Sequence, residues 1–131
     1  MPDRTKILIV EDDNAMAQMC AKLLRRRGHS VLIANSGLDA VAIVRFGGDV
    51  DLVISDFRMP QMDGLQLVGR LHEIDSTLPV ILMTGFASDV RVEHATKFGI
   101  SDCVIKPFDP DGLLTSIDKV LRTRQVPASG V

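Results

Sequence analysis

Five short apolar runs rich in valine and isoleucine, at residues 6–10, 31–34, 52–55, 80–83 and 103–105, alternate with longer segments of helical period. That alternation is the pattern of repeated strand-helix units, and such units build a parallel sheet because each helix carries the chain back to the edge where the next strand starts. Three of the runs show no polar alternation, as suits central strands covered by helices on both faces. Helices are expected at residues 14–27, 38–46, 65–73, 89–98 and 110–122. Asp13 or Asn14 can cap the first and Gly28 can end it, while Ser88 or Asp89 can cap the fourth and Gly99 can stop it. The 131 residues, 46% of them hydrophobic, are close to the size of one compact domain with an ample core. One domain is therefore expected over residues 1–122. A flexible tail is expected over residues 123–131, where Pro127, Ser129 and Gly130 accompany a loss of apolar periodicity.

The formal net charge of -2 gives no general attraction to nucleic acid or anionic lipid, so any partner must be recognised locally. No N-terminal segment combines a basic start, an apolar run and a small-residue cleavage site, and no apolar stretch is long enough to span a bilayer. A soluble, cytoplasmic protein is expected. Cys20 and Cys103 are too far apart in sequence for a compact metal motif and too few for a disulfide framework. Reduced, mostly buried thiols are the simpler expectation.

In an open sheet of strand-helix units the functional loops lie at the carboxyl ends of the strands, where the strand order reverses. The polar residues gather there. Glu11, Asp12 and Asp13 follow the first run, Asp56 the third, Thr84 the fourth and Lys106 the fifth. Singly each has a plain explanation: an acid before a helix caps it, a threonine after a strand turns the chain, and a lysine is solvated surface. Together they bring an acid cluster, a hydroxyl and an ammonium to one edge. Like charges crowded in that way repel unless a cation joins them.

The chain resembles the response-regulator receiver family. The matching segments are Ile9-Val10-Glu11-Asp12-Asp13, Ser55-Asp56-Phe57-Arg58-Met59-Pro60-Gln61-Met62-Asp63-Gly64, Leu82-Met83-Thr84-Gly85 and Ile105-Lys106-Pro107-Phe108, spread over residues 5–122. Each is weak alone, but their order and spacing on one alternating chain are specific. The resemblance implies a flavodoxin-like, doubly wound α/β fold with five parallel strands in the order 2-1-3-4-5 and five helices. It implies that Asp56 accepts a phosphoryl group from a phosphohistidine on a sensor histidine kinase or a histidine phosphotransfer protein. A divalent cation, expected to be Mg2+, would relieve the charge, held by Asp12, Asp56, the backbone carbonyl of Arg58 and, through water, Glu11. Lys106 and the Thr84 hydroxyl would bond phosphoryl oxygens, and the bond between Lys106 and Pro107 would be cis. The downstream effector would read the face made by the fourth helix, fifth strand and fifth helix. No direct contact with nucleic acid and no membrane insertion are expected.

One position departs from the family pattern. Three residues before the lysine the family carries an aromatic side chain coupled to the hydroxyl residue, and here that position is Cys103. The thiol cannot swing as a ring does, so movement of the loop at residues 84–86 and repacking of the fourth helix are expected to carry the signal instead. Arg58 and Phe86 are expected to flank the path of hydrolytic water and so to influence the phosphoryl lifetime. A receiver module of a larger transcriptional regulator is an alternative reading. An aspartate-dependent phosphatase fits less well, because its nucleophile follows the first strand with a second acid two residues later, whereas Arg58 stands at that spacing from Asp56. A flavin carrier fits poorly too, since Glu-Asp-Asp after the first strand would repel a phosphate.

Overall fold

A computed structural model of the chain describes residues 5–85, 99–106 and 109–125. Strands β1 (Lys6–Val10), β2 (Ser30–Ala34), β3 (Leu52–Asp56), β4 (Val80–Thr84) and β5 (Asp102–Ile105) form one parallel sheet in the order β2-β1-β3-β4-β5. Among the described residues they are joined by helices α1 (Asn14–Arg26), α2 (Gly37–Arg45) and α3 (Gly64–Ile74), and the chain continues into a C-terminal helix, Pro110–Gln125. The expected order and all five expected strands are present. The helix expected at residues 89–98, the loop residue Phe86, the Lys106-Pro107 bond and residues 126–131 lie outside the described residues. The C-terminal helix runs to Gln125, three residues past the expected end of the domain at residue 122, because nothing before Pro127 breaks its hydrogen bonding.

Every residue of β3 and β4 is buried, and their side chains alternate between two cores on opposite faces of the sheet. Ile7, Ile9, Ile54, Ile81 and Met83 meet α1 and the C-terminal helix through Ala17, Cys20, Ala21, Leu24, Leu113 and Ile117. Leu8, Val10, Val53, Val80 and Leu82 meet α2 and α3 through Ala40, Val41, Leu67, Val68 and Leu71. This two-sided burial is why the strands read as unbroken apolar runs.

The helix ends follow local chemistry. Asp13 caps α1 by accepting the Met16 amide, and Gly28, at φ 90°, ends it in the left-handed conformation that lacks a Cβ penalty. The Gly28 amide bonds the Arg25 carbonyl, and the Leu24 carbonyl accepts from both the Arg27 and His29 amides, so carbonyls of the last turn are satisfied. Asp63 opens α3 with a reciprocal cap: its carboxylate accepts the Gln66 amide at 2.8 Å while the Gln66 side chain accepts the Asp63 amide at 2.9 Å.

Candidate functional site

Parallel register brings the expected site residues to one end of the sheet. Val10 pairs with Ser55, Asp56 with Met83, and Thr84 with Ile105, so the residues that follow or end these strands share one edge. Backbone bonds carry the alignment past the strand ends, with the Glu11 amide on Ala34, the Phe57 amide on Met83 and the Lys106 amide on Thr84. Asp56 is the last residue of β3 rather than the first of the turn, and Thr84 likewise closes β4. Its place in the ladder holds the Asp56 backbone while its carboxylate stays at the rim, 12% exposed.

The site is a knot of charge. Lys106 Nζ lies 3.0 Å from Asp56 Oδ1 and 3.3 Å from Glu11 Oε1, so one ammonium bridges carboxylates delivered by two different strand ends. Glu11 is 1% exposed, Asp12 is exposed, and Thr84 is 1% exposed at the end of β4. One carboxylate oxygen from each of Glu11, Asp12 and Asp56 lies within 4.8 Å of the others. Burial pushes the Glu11 carboxyl above its ordinary value, and the Asp56 charge adds to that; the Asp13 amide and Lys106 oppose it without prevailing. Burial draws the Lys106 ammonium down, but its hydrogen bond to Asp56 and the charges of Asp56 and Glu11 outweigh it, so its pKa is raised. The lysine is therefore a firmly charged counter-ion to acids that crowd one another.

Five of the six expected residues, Glu11, Asp12, Asp56, Thr84 and Lys106, thus converge on one rim. The sixth, Arg58, is exposed in the loop that leaves Asp56. That loop is pinned at its base, where the Gly64 amide donates to the Phe57 carbonyl at 2.7 Å. Sequence reasoning missed Asn35, whose side-chain amide donates to the Glu11 carbonyl at 3.3 Å and ties the acid-bearing loop to the end of β2. An Asn-Ser-Gly run after a strand signals a cap and turn, and only the sheet order shows which loop it faces. The donor set is all oxygen, which suits a hard divalent cation such as Mg2+ and suits a soft metal poorly.

The two cysteines do not join this chemistry. Burial, with the charge of Glu11, pushes the Cys20 thiol up to about 11. Burial and the Asp102 carboxylate also raise Cys103, the reverse of what a reactive thiolate needs. A separate charged cluster holds β5 to the C-terminal helix: Asp102 accepts the Ser116 hydroxyl at 2.6 Å, and Lys119 Nζ lies 3.1 Å from the same oxygen.

A doubly wound sheet of this order, with acids, a hydroxyl and a lysine on one rim, defines a receiver-type α/β domain. The response regulator receiver domain model matches residues 7–118, and the chain belongs to that family, the receivers of two-component response regulators. The transcriptional regulatory protein ZraR of Escherichia coli (strain K12) is 37% identical over 119 residues, covering 91% of this chain and 27% of the relative. The chain spans about a quarter of the length of the curated relatives it matches first. A response regulator receiver domain protein of Clostridium thermocellum superposes with a TM-score of 0.86 at 26% identity, over 92% of this chain and 97% of that one. The chemotaxis protein CheY4 of Vibrio cholerae gives 0.82 at 28% identity, over 90% and 99%. No helix among the described residues is long and apolar enough to cross a membrane.

Proposed function

We propose that Asp56 is the phosphoacceptor of this receiver and that the chain is a stoichiometric switch rather than a turnover enzyme. The observation that carries the reading is the pairing of a rim carboxylate with a buried acid, an exposed acid and an ammonium 3.0 Å away. A carboxylate oxygen of Asp56 attacks the phosphorus of a phosphohistidine on a sensor histidine kinase or a histidine phosphotransfer protein. The new O–P bond forms as the N–P bond breaks, and the electron pair departs with the imidazole nitrogen, which takes up a proton. Mg2+, when bound, neutralises charge on the phosphoryl oxygens.

The chain's own residues do the rest. Asp12 and Asp56 offer carboxylate ligands, the Arg58 carbonyl completes the protein share, and Glu11 acts from its buried position through water. Lys106 leaves Glu11 and Asp56 for a phosphoryl oxygen, a short move for a flexible stem bearing a point charge. The Thr84 hydroxyl donates to another phosphoryl oxygen. Phosphorylation adds about -1.5 to -2 charges at the rim, and these two contacts read it. The signal then passes from Thr84 to a downstream effector on the face that includes β5 and the C-terminal helix, with Cys103 leaving no aromatic rotamer to swing. The receiver extends through the C-terminal helix that ends at Gln125, and the protein works in the cytoplasm.

A second reading, a receiver module of a larger transcriptional regulator, is favoured by one observation: relatives such as ZraR are transcriptional regulatory proteins that this chain matches over 27% of their length. An aspartate-dependent phosphatase is disfavoured by Arg58, which stands where a second acid would be needed. The test is incubation with magnesium and a small phosphodonor, then intact mass of the native chain and of Asp56→Asn. One phosphoryl on the first and none on the second is expected. No adduct on the native chain, or an equal adduct on both, would overturn the proposal.

A further inference from the structure

The loop between Asp56 and α3 is held by a contact that neither the acid cluster nor the helix caps require. Gly37 is the first residue of α2, after the Ser36 cap, and its backbone is not left-handed, so the conformation there would admit any residue. What excludes a side chain is Met62. A Cβ built on Gly37 would lie 2.7 Å from Met62 Sδ and 3.2 Å from both Met62 Cβ and Cγ. The sulfur could swing aside, but Cβ is fixed to the backbone, so relief there requires a shift of a few tenths of an ångström between the loop and the start of α2.

The same loop is bent under strain. The Met62 amide donates to the Pro60 carbonyl at 2.7 Å across Gln61, whose φ is 71°. An i to i+2 bond with a positive φ at its centre is the rarer and strained kind of γ-turn. Such a turn persists only where its surroundings over-determine it. Here the turn delivers Met62, 8% exposed, into the notch left by the missing Cβ of Gly37. At the loop's base, Gly64 performs a similar service: a Cβ there would lie 3.1 Å from Phe57 Cα and 3.2 Å from the Asp56 carbonyl oxygen.

We infer that Met62, seated against Gly37, is a positioning residue that fixes the loop carrying Arg58 and thereby sets the affinity of the acid cluster for its divalent cation. The inference rests on the proposed Mg2+-dependent chemistry of Asp56. A clamp of this kind acts on placement: it costs the free protein the strain at Gln61 and removes the loop ordering that cation binding would otherwise require. Outer-shell groups that hydrogen-bond metal ligands change affinity by roughly 10- to 100-fold when lost. A contact on the loop rather than on a ligand belongs at the lower end.

Gly37→Ala, Met62→Ala and the double variant test this, with Mg2+ affinity read by calorimetric titration and phosphorylation by a small phosphodonor followed by intact mass. Gly37→Ala is expected to weaken Mg2+ binding about tenfold. The Mg2+ concentration for half-maximal phosphorylation should rise alike, while the rate at saturating Mg2+ stays near that of the native chain, because Asp56 and Lys106 are untouched. Met62→Ala should also weaken binding, and in that background Gly37→Ala should add less than it does in the native chain, since Sδ and Cγ are gone and only the 3.2 Å contact with Cβ remains. Gly69→Ala on exposed α3, where a Cβ meets nothing, should leave affinity unchanged and control for helix stabilisation. Unchanged affinity in Gly37→Ala or Met62→Ala, or equal effects of Gly37→Ala with and without Met62, would overturn the inference. A native chain that binds no Mg2+ would instead remove the proposed function, and the inference with it.

Discussion

Replacing Lys106 by Met removes the ammonium from between Glu11 and Asp56 while keeping a stem of similar length. The two ion pairs it breaks measure 3.0 Å and 3.3 Å, and the side chains involved are 21% exposed for the lysine, 12% for Asp56 and 2% for Glu11. Removing one partner of a buried ionic group costs about 3–5 kcal/mol, since the other charges remain uncompensated. Partial exposure of Lys106 and Asp56 lets water in, so the expected loss at pH 7 without magnesium is about 3 kcal/mol, the low end of that range. The pH dependence has a definite sign. Burial already holds the Glu11 carboxyl above its ordinary 4.5, so the native state binds its proton more tightly than the unfolded chain does. Stability from this group therefore rises as pH falls through the window between the raised native value and 4.5. Loss of the lysine raises the native value further and widens that window, so the penalty should shrink on acidification from pH 7 toward the Glu11 range. Urea unfolding followed by far-ultraviolet circular dichroism is the assay, because the chain has neither Trp nor Tyr. A variant within about 0.5 kcal/mol of the native chain at pH 7, the range of an ordinary surface change, would refute the picture of a buried three-charge knot.

Gly69→Ala, on the exposed side of α3 with nothing within 4 Å of the added Cβ, should stabilise the fold by about 0.5–1 kcal/mol in the same assay. Ser116→Ala removes the 2.6 Å bond to Asp102 and should cost about 1.5 kcal/mol at pH 7. Burial acts to raise Asp102, but its bonds to Ser116, the Cys103 amide and Lys119 outweigh that and lower it below 3.8. Stability from Asp102 is accordingly present above 3.8 and lost as pH falls through the lowered native value, so the cost of Ser116→Ala should fade in that acidic range. A cost that is constant with pH would place the effect of Ser116 elsewhere.

The sheet was legible because β3 and β4 are buried on both faces, which leaves an unbroken apolar run, and because parallel pairing forces helices between runs. Boundaries were less so: α2 begins at Gly37, not residue 38, since the Ser36 cap admits glycine at the first position, and β3 extends through Asp56 because its ladder continues to Met83. The rim of the site was legible as well, since each strand ends in a residue of distinct chemistry. What the sequence withheld were contacts between loops distant in the chain. Lys106 on Glu11, Asn35 on the Glu11 carbonyl and Met62 over Gly37 depend on which strands are neighbours and how closely loops approach.

The account stands on Asp56 as the atom-level acceptor, and site mapping of the phosphoryl group tests it most directly. The native chain, treated with magnesium and a small phosphodonor, is reduced with borohydride, which converts an acyl phosphate to the alcohol, and the peptides are sequenced by mass spectrometry. A homoserine at position 56 and an aspartate at positions 12 and 63 is the expected result. Reduction at another carboxylate, or a phosphoryl group resistant to borohydride, would contradict it.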